Sequence, residues 1–205
     1  GRVHTDVQVA QQTHWASYTD RGAAGTGALR VEQESWAFSS PGSDDDFVIV
    51  RIFLENEGTA TYEKVYAGMM FDFDVENDAA DNTGGTDAGR GLAWCAGPGG
   101  THTGIQILQP IDHGLPVGNL TLIHNPTYVY PDGYVPDADK YAFLSAADAA
   151  PVLTSGPTPD DYSTLVSAGP FDLPPGSSAE LTFAVVAGSS LAQLLQNADA
   201  AQAVF

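Results

Sequence analysis

The chain has 205 residues, enough for one sizeable β domain with its own core, and its apolar fraction of 43% rules out a disordered chain. Twenty-six acidic side chains against seven basic ones give a net charge of −19, so the clustered cations that bind phosphate backbones are missing. The composition therefore excludes nucleic acid and an anionic membrane surface as partners, and no stretch approaches the roughly 20 apolar residues of a membrane span.

The N-terminal segment has only weak strand character. Val3, Val7 and Val9 alternate with polar residues and would share one face of a short strand, and the residues that follow are rich in Gly, Ala, Thr and Ser. We therefore expect residues 1–28 to form an arm or an edge strand, with residues 29–205 as the folded domain. The face formed by the three valines could add a strand to the open sheet edge of a second copy.

Strands dominate the first half of the predicted domain. The run Phe47–Leu54 is apolar, β-branched and continuous, which is typical of a central strand buried on both faces. We expect residues 65–75 to return beside it as an antiparallel hairpin, and residues 76–91 to form a polar loop. The predicted strands of this half are residues 29–38, 47–54, 65–75, 92–96 and 103–108.

The second half begins with an irregular segment and ends with a helix. Residues 110–140 contain five prolines, which predicts a long surface loop. Short edge strands or turns are expected at 141–144 and 163–168, and residues 179–187 alternate as a strand. A serine can cap a helix over 190–204, where leucines recur near a period of 3.6. The predicted fold is mainly β, an antiparallel β-sandwich with one C-terminal α-helix and an extended N-terminal arm.

Several runs between about residues 46 and 205 resemble a bacterial secreted β-sandwich module, of the kind found in large exported proteins beyond a subtilisin-type peptidase domain. The resemblance implies export, a cell-surface or extracellular location and a sandwich fold. It carries over no catalytic residue of a peptidase, because that domain is absent from these residues. The runs that carry it are Asp46–Arg51, Leu54–Thr59, Val65–Gly68, Phe71–Asp74, Asp81–Asn82, Asp87, Arg90–Leu92, Ala168–Gly176, Phe183–Gly188 and Asn197–Ala201.

Acidic and amide side chains follow the predicted strand at 65–75. Asp72 and Asp74 would lie on one face of that strand, where two carboxylates repel each other unless a cation lies between them. A hard cation that takes six to eight oxygens suits such a set, so we predict a calcium site. The alternative is an Asx-turn loop whose carboxylates accept backbone N–H groups. The predicted ligands are Asp72, Asp74, Asn77, Asp78, Asp81, Asn82 and Asp87.

No catalytic signature stands out in the sequence. The five histidines show no zinc-enzyme spacing, and the Gly-x-Ser-x-Gly nucleophile motif is missing. Adjacent acids in a loop do not indicate the two separated carboxylates of a glycosidase. The lone Cys95 is expected to be a small buried apolar residue. We therefore expect no enzymatic activity.

The sequence thus predicts a non-catalytic extracellular structural protein, stabilised by calcium and assembled with copies of itself as a filament, tube or surface layer. One alternative is an accessory domain of a secreted subtilisin-type protease. The other is a carbohydrate-binding module that stacks tyrosines of the proline-rich segment on a polysaccharide. Tyr128, Tyr130 and Tyr134 could serve that role or anchor an interface between copies.

Overall fold

Two antiparallel sheets and three α-helices make up the structure, a computed structural model that describes residues 10–20, 27–38, 46–109, 111–146 and 153–205. Its elements are β1 (Gln12–Thr19), β2 (Leu29–Ala37), β3 (Phe47–Asn56), β4 (Tyr62–Asp72), β5 (Thr83–Asp87), β6 (Leu92–Ala96), β7 (His102–Ile107), β8 (Val117–His124), α1 (Asn125–Tyr128), α2 (Asp137–Ser145), β9 (Ser155–Gly156), β10 (Tyr162–Leu173), β11 (Ser178–Gly188) and α3 (Leu191–Val204). The larger sheet has the order β1-β2-β3-β11-β7-β6-β5-β9, and the smaller sheet has the order β4-β10-β8. The predicted mainly β sandwich with a C-terminal helix is confirmed.

The main core lies between the two sheets. Successive residues of a strand point to opposite faces of its sheet, so every second residue along a strand can face the other sheet. Leu181 and Phe183 of β11 and Val166 and Ala168 of β10 belong to one buried apolar cluster. Each large side chain buried in this way contributes about 1.5–3 kcal/mol, which holds the two sheets together.

The C-terminal helix covers the outer face of the larger sheet. Ser190 caps it, because its hydroxyl oxygen accepts a hydrogen bond from Gln193 N at 3.2 Å. Leu194, Ala198 and Ala201 of α3 are buried in a cluster with residues such as Val186 of β11. The small alanines let the helix lie close to the sheet.

A second helical layer covers the outer face of the smaller sheet. Phe143 of α2 and Val135 just before it are buried against Ile123 of β8 and Leu165 of β10. The prediction of a long irregular loop over 110–140 is therefore wrong, since this segment contains β8, α1 and the start of α2. Two of its prolines occupy positions that suit helices: Pro126 lies in the first turn of α1, and Pro136 immediately precedes α2.

The predicted hairpin of residues 47–54 with 65–75 is also wrong. Strand β3 lies between β2 and β11 in the larger sheet, while β4 pairs with β10 in the smaller one. The chain between β3 and β4 thus crosses from one sheet to the other. Strand β4 does not pair with β3 because β3 already has a strand on each side. The apolar residues of β4 are instead buried by packing on the core from the opposite sheet.

Two strands lie in segments whose sequence has little strand character, the first within residues 1–28, for which an arm or an edge strand was expected. Residues 12–19 form the exposed edge strand β1, which pairs with β2 from Gln12 and Ala37 to Thr19 and Arg30. Part of the predicted 76–91 loop forms β5, whose Thr-Gly-Gly-Thr-Asp sequence has no apolar alternation and pairs with β6. Backbone pairing to a neighbouring strand overrides weak intrinsic propensity in both cases. Val3, Val7 and Val9 lie outside the described residues.

Within the described part of the chain, no helix has the length and apolar character needed to cross a membrane. Cys95 is fully buried between the sheets, as expected, and its thiol donates to Tyr162 O at 3.2 Å. Burial, together with the charges of Asp72 and Asp161, raises the pKa of this thiol to about 12. Cys95 is thus an inert packing residue.

Candidate functional site

Polar side chains gather at one end of the smaller sheet. The strand register places Asp72 at the end of β4 opposite Ser163 of β10, and Ser163 opposite Ile123 of β8. Asn125 N donates to Asp161 O at 3.0 Å, which extends the pairing of β8 and β10 beyond the strand ends. Three strands that are distant in sequence therefore bring their polar ends together.

An amide at the centre of this polar end binds two carboxylates. The Asn125 Nδ2 group donates to Asp72 Oδ1 and to Asp161 Oδ1, each at 2.8 Å. Ser163 Oγ lies 2.8 Å from Asn125 Oδ1 and 3.1 Å from Asp72 Oδ1, so its single proton can be donated to either oxygen. These contacts fix the orientation of Asn125, which is itself fully buried.

Three carboxylates converge at the same place. Oxygens of Asp72, Asp74 and Asp161 all lie within 4.8 Å of one another. Asp161 is only 8% exposed, whereas the other two are exposed. Burial raises the pKa of Asp161, and the neighbouring charges of Asp72 and Asp74 raise it further against the opposing effect of the Asn125 hydrogen bond. This cluster can accept hydrogen bonds or hold a cation.

Tyr130 closes one side of the cluster. Its hydroxyl donates a hydrogen bond to Asp161 Oδ2, and its backbone N–H donates to Asn125 O at 3.0 Å. The tyrosine is nevertheless 58% exposed. Its ring is thus available to a ligand while its hydroxyl is anchored on the buried acid.

A histidine forms a second hydrogen-bonded group beside Asp161. His124 Nε2 lies 2.9 Å from Asp160 Oδ2, and its Nδ1 lies 2.6 Å from Thr127 Oγ1. The hydrogen bond from His124, together with that from Asp161 N, lowers the pKa of Asp160. If Nε2 carries the proton, Nδ1 accepts the threonine hydroxyl, and the ring is held at both nitrogens.

Of the seven predicted calcium ligands, only Asp72 and Asp74 join this cluster. Asp87 instead pairs with Arg90, whose guanidinium also binds Asp199 at 2.8 Å. Asp78 caps the short helical turn at 79–81 by accepting from Ala80 N at 3.0 Å. Asn77 and Asp81 are exposed on the same loop.

Asn82 has a structural role in that loop. Its side-chain oxygen accepts from Val75 N at 2.9 Å, and its amide donates to Val75 O at 2.9 Å and Asp78 O at 3.1 Å. A fully buried amide with these three bonds has no oxygen directed at a cation. The acids and amides of residues 77–87 therefore behave largely as the Asx-turn alternative predicts.

The three predicted tyrosines occupy different environments. Tyr128 is half-buried and packs edge-to-face on Phe143, with ring centroids 5.1 Å apart. Tyr130 belongs to the polar end of the sheet, and Tyr134 is 61% exposed. Two of the three rings are thus available to a ligand.

The residues that complete the site were missed by sequence reasoning. Asn125, Asp161 and Ser163 lie in segments with no metal or catalytic spacing. One signal was present: two adjacent acids at 160 and 161 come immediately before the segment that forms β10, a strand that is buried almost throughout. A buried acid at a strand end is a candidate functional residue.

No protein-family model matches the chain, and no curated protein matches it. Among solved structures, the chain is similar to one titled as a putative aldose 1-epimerase from Escherichia coli K12, at 14% sequence identity and a TM-score of 0.50. The match covers 86% of this chain and 65% of that one, so this chain spans less than two thirds of that protein. At this identity the likeness shows a shared fold.

This comparison makes the prediction of a non-catalytic, self-assembling structural protein wrong, because the fold is shared with a protein titled as a sugar enzyme. The prediction that the chain has no enzymatic activity is wrong for the same reason. The carbohydrate-binding alternative agrees better with the comparison. The predictions of calcium, of export and of a relation to modules beyond subtilisin-type peptidases are not tested by it and stay predictions.

Proposed function

We propose that the chain is a carbohydrate-binding domain and that its site is the polar end of the smaller sheet. The observation that carries the proposal is the combination of a buried carboxylate and amide network, around Asp161 and Asn125, with the exposed ring of Tyr130. A sugar presents hydroxyl groups that donate hydrogen bonds and ring faces that carry C–H groups. The site offers fixed acceptors for the first and an aromatic surface for the second.

The acceptors are held ready for a ligand. When ionised, Asp72, Asp74 and Asp161 can only accept hydrogen bonds. Strand pairing and the Asn125 amide hold Asp72 and Asp161 in place. Hydrogen bonds to charged acceptors are about twice as strong as neutral ones. Preorganised groups lose little entropy on binding, so a small neutral ligand rich in hydroxyl groups suits this site.

The fold adds support from outside the site. One solved structure that shares it is titled as a putative aldose 1-epimerase, and an aldose is a sugar of the class that the site would accept. Net charge points the same way, since a chain with a net charge of −19 disfavours anionic ligands and leaves neutral sugars unaffected.

The pKa of Asp161 favours a second candidate function, the interconversion of sugar anomers. Opening the ring of an aldose needs one group to take the proton of the anomeric hydroxyl and another to protonate the ring oxygen. Asp161, whose pKa is raised by burial, and His124, next to Asp160, are two proton-transfer groups at the same strand ends. A raised carboxylate pKa brings the acid closer to the pH at which it can exchange a proton.

Calcium at this place is a separate proposal. Asp72, Asp74 and Asp161 supply three oxygens within 4.8 Å of one another, and waters or sugar hydroxyls would complete the six to eight that calcium takes. Such an ion would bind the same ligand that the carboxylates bind directly. It would also relieve their mutual repulsion.

Titration of the protein with D-glucose, D-galactose and their methyl glycosides, followed by NMR and calorimetry, tests the binding proposal. Replacing Asp161 by Asn removes a charged acceptor and should weaken binding roughly 10- to 100-fold. Asp81→Asn is the matched control, because it removes the same charge from an exposed loop position outside the cluster. If none of the sugars in the panel binds, the proposal is contradicted.

Polarimetry tests the second candidate. Freshly dissolved α-D-glucose or α-D-galactose should reach anomeric equilibrium faster with the protein than in buffer alone. The acceleration should be lost in Asp161→Asn and His124→Ala and kept in Asp81→Asn. An unaltered rate with the unmodified protein rejects turnover and leaves the binding proposal standing.

A further inference from the structure

A cleft of about 300 Å³ lies between the outer face of the smaller sheet and the segment that covers it. Its floor is formed by residues of all three strands, including Met70, Ile123 and Leu165. Its other wall is formed by α2 and the residue Val135 before it. The lining is almost wholly carbon, and consists of Gly68, Met70, Ile123, Val135, Lys140, Phe143, Leu144 and Leu165.

This cleft adjoins the polar end of the sheet. Leu165 is opposite Met70 in the register, and Ser163 is opposite Asp72, so the two pairs are successive rungs on one face of the sheet. Residues two apart on a strand are about 6.6 Å apart. The apolar cleft and the acidic cluster are thus neighbouring parts of one surface.

The size of the cleft limits its occupant. A cavity of about 150 Å³ lined by aliphatic and aromatic side chains holds a benzene molecule, so about 300 Å³ accommodates a short alkyl chain or one substituted ring. Lys140 is the charged group on the lining, and its Nζ pairs with Asp137 Oδ1 at 2.9 Å. With that cation paired at the rim and carboxylates at the polar end, a neutral occupant is favoured over an anionic one.

We propose that the cleft holds the apolar aglycone of a glycoside whose sugar is bound at the polar end. This inference rests on the proposed function, and it names the ligand class: neutral glycosides with a short alkyl or aryl group rather than free sugars. A ligand of this class matches both halves of the surface. Its hydroxyl groups meet the carboxylates, and its hydrocarbon part displaces water from the carbon-lined cleft.

Alkyl glycosides of graded length test the inference. Calorimetry with methyl, butyl and hexyl β-D-glucosides and β-D-galactosides, all below their micelle concentrations, should show affinity rising about fourfold per methylene until the cleft is full. Met70→Lys places a charge on the floor of the cleft at a partly exposed strand position and should abolish the chain-length dependence. Val48→Lys is the matched control, because Val48 is also an exposed apolar strand residue but lies in the larger sheet.

The possible outcomes separate this inference from the proposed function. Equal affinity for methyl and hexyl glycosides overturns the inference, while binding of the methyl glycosides keeps the proposed function. Chain-length dependence that survives Met70→Lys also overturns it. Hexanol binding as tightly as hexyl glycoside would show that the cleft acts without the polar end, which again overturns it. If no glycoside of either sugar binds, the proposed function is overturned, and the inference that rests on it is overturned as well.

Discussion

The hydroxyl of Tyr130 donates a hydrogen bond to the buried carboxylate of Asp161, although the tyrosine itself is largely exposed. The same carboxylate accepts from Asn125 Nδ2 at 2.8 Å. One acid thus links a surface ring to the fully buried amide at the centre of the site. Because this pair joins the proposed ligand surface to the folded core, its removal should alter both binding and stability.

Tyr130→Phe should lower the free energy of unfolding by about 0.5–1.5 kcal/mol, since it removes one donor from Asp161 and keeps the ring. Without that donor the ionised form of Asp161 is less stabilised, so its pKa should rise further. Urea unfolding and an NMR pH titration measure the two effects. Tyr134→Phe, at another exposed tyrosine, should change stability by less than about 0.5 kcal/mol. Equal losses in both variants would contradict the assigned role of Tyr130.

Asp161→Asn should change how stability depends on pH. A carboxyl group whose pKa is raised on folding contributes most below its ordinary value of 3.8, and that contribution is lost as pH rises through the raised value. The variant lacks this loss, so its stability relative to the unmodified protein should increase as pH rises through that window. Denaturant unfolding at successive pH values measures the difference. A stability difference that does not vary with pH would contradict this prediction.

Asn82→Ala should destabilise the loop that follows β4. The substitution leaves the backbone groups of Val75 buried without their partners, which costs roughly 1–3 kcal/mol. Asn77→Ala changes the same residue type at an exposed position of the same loop and should cost less than about 0.5 kcal/mol. Thermal unfolding of the two variants distinguishes them. Comparable losses would show that Asn82 does not hold the loop.

Calcium should stabilise the protein through Asp72, Asp74 and Asp161. At a free calcium concentration ten times the dissociation constant, binding to the folded state adds about 1.4 kcal/mol. Asp74→Asn should remove most of this gain, and Asp81→Asn should keep it, because only the first residue belongs to the cluster. Melting curves with calcium and with a chelator measure the effect. Identical curves for the unmodified protein would reject the ion.

Strands with a continuous or alternating apolar pattern were predictable from the sequence, because the pattern itself reflects which side chains are buried. The predicted strand at 92–96 matches β6, and those at 47–54 and 179–187 lie within β3 and β11. Helix α3 was equally predictable from the sequence, since its capping serine and the 3.6-residue period of its leucines are local features. In contrast, β5 has no apolar pattern, and it is a strand because β6 and β9 pair with it.

The candidate site was harder to predict because its members meet only through strand pairing. Asp72 and Asp74 were identified from their alternation on one strand, but Asp161 lies almost 90 residues further along the chain. Only the pairing of β4 with β10 brings them together. The prolines of 110–140 concealed the elements that supply Asn125 and Tyr130, because proline also occurs at the first turn of a helix.

The order of strands in the smaller sheet makes the site a reporter of complete folding. Its central strand, β10, is the last of the three in the chain, and each neighbour contacts β10 rather than the other neighbour. A nascent or truncated chain that lacks β10 therefore has the acid of β4 and the amide after β8 but no means of placing them side by side. Sugar binding, measured during refolding, should accordingly appear only in the final cooperative step and never in an early local intermediate.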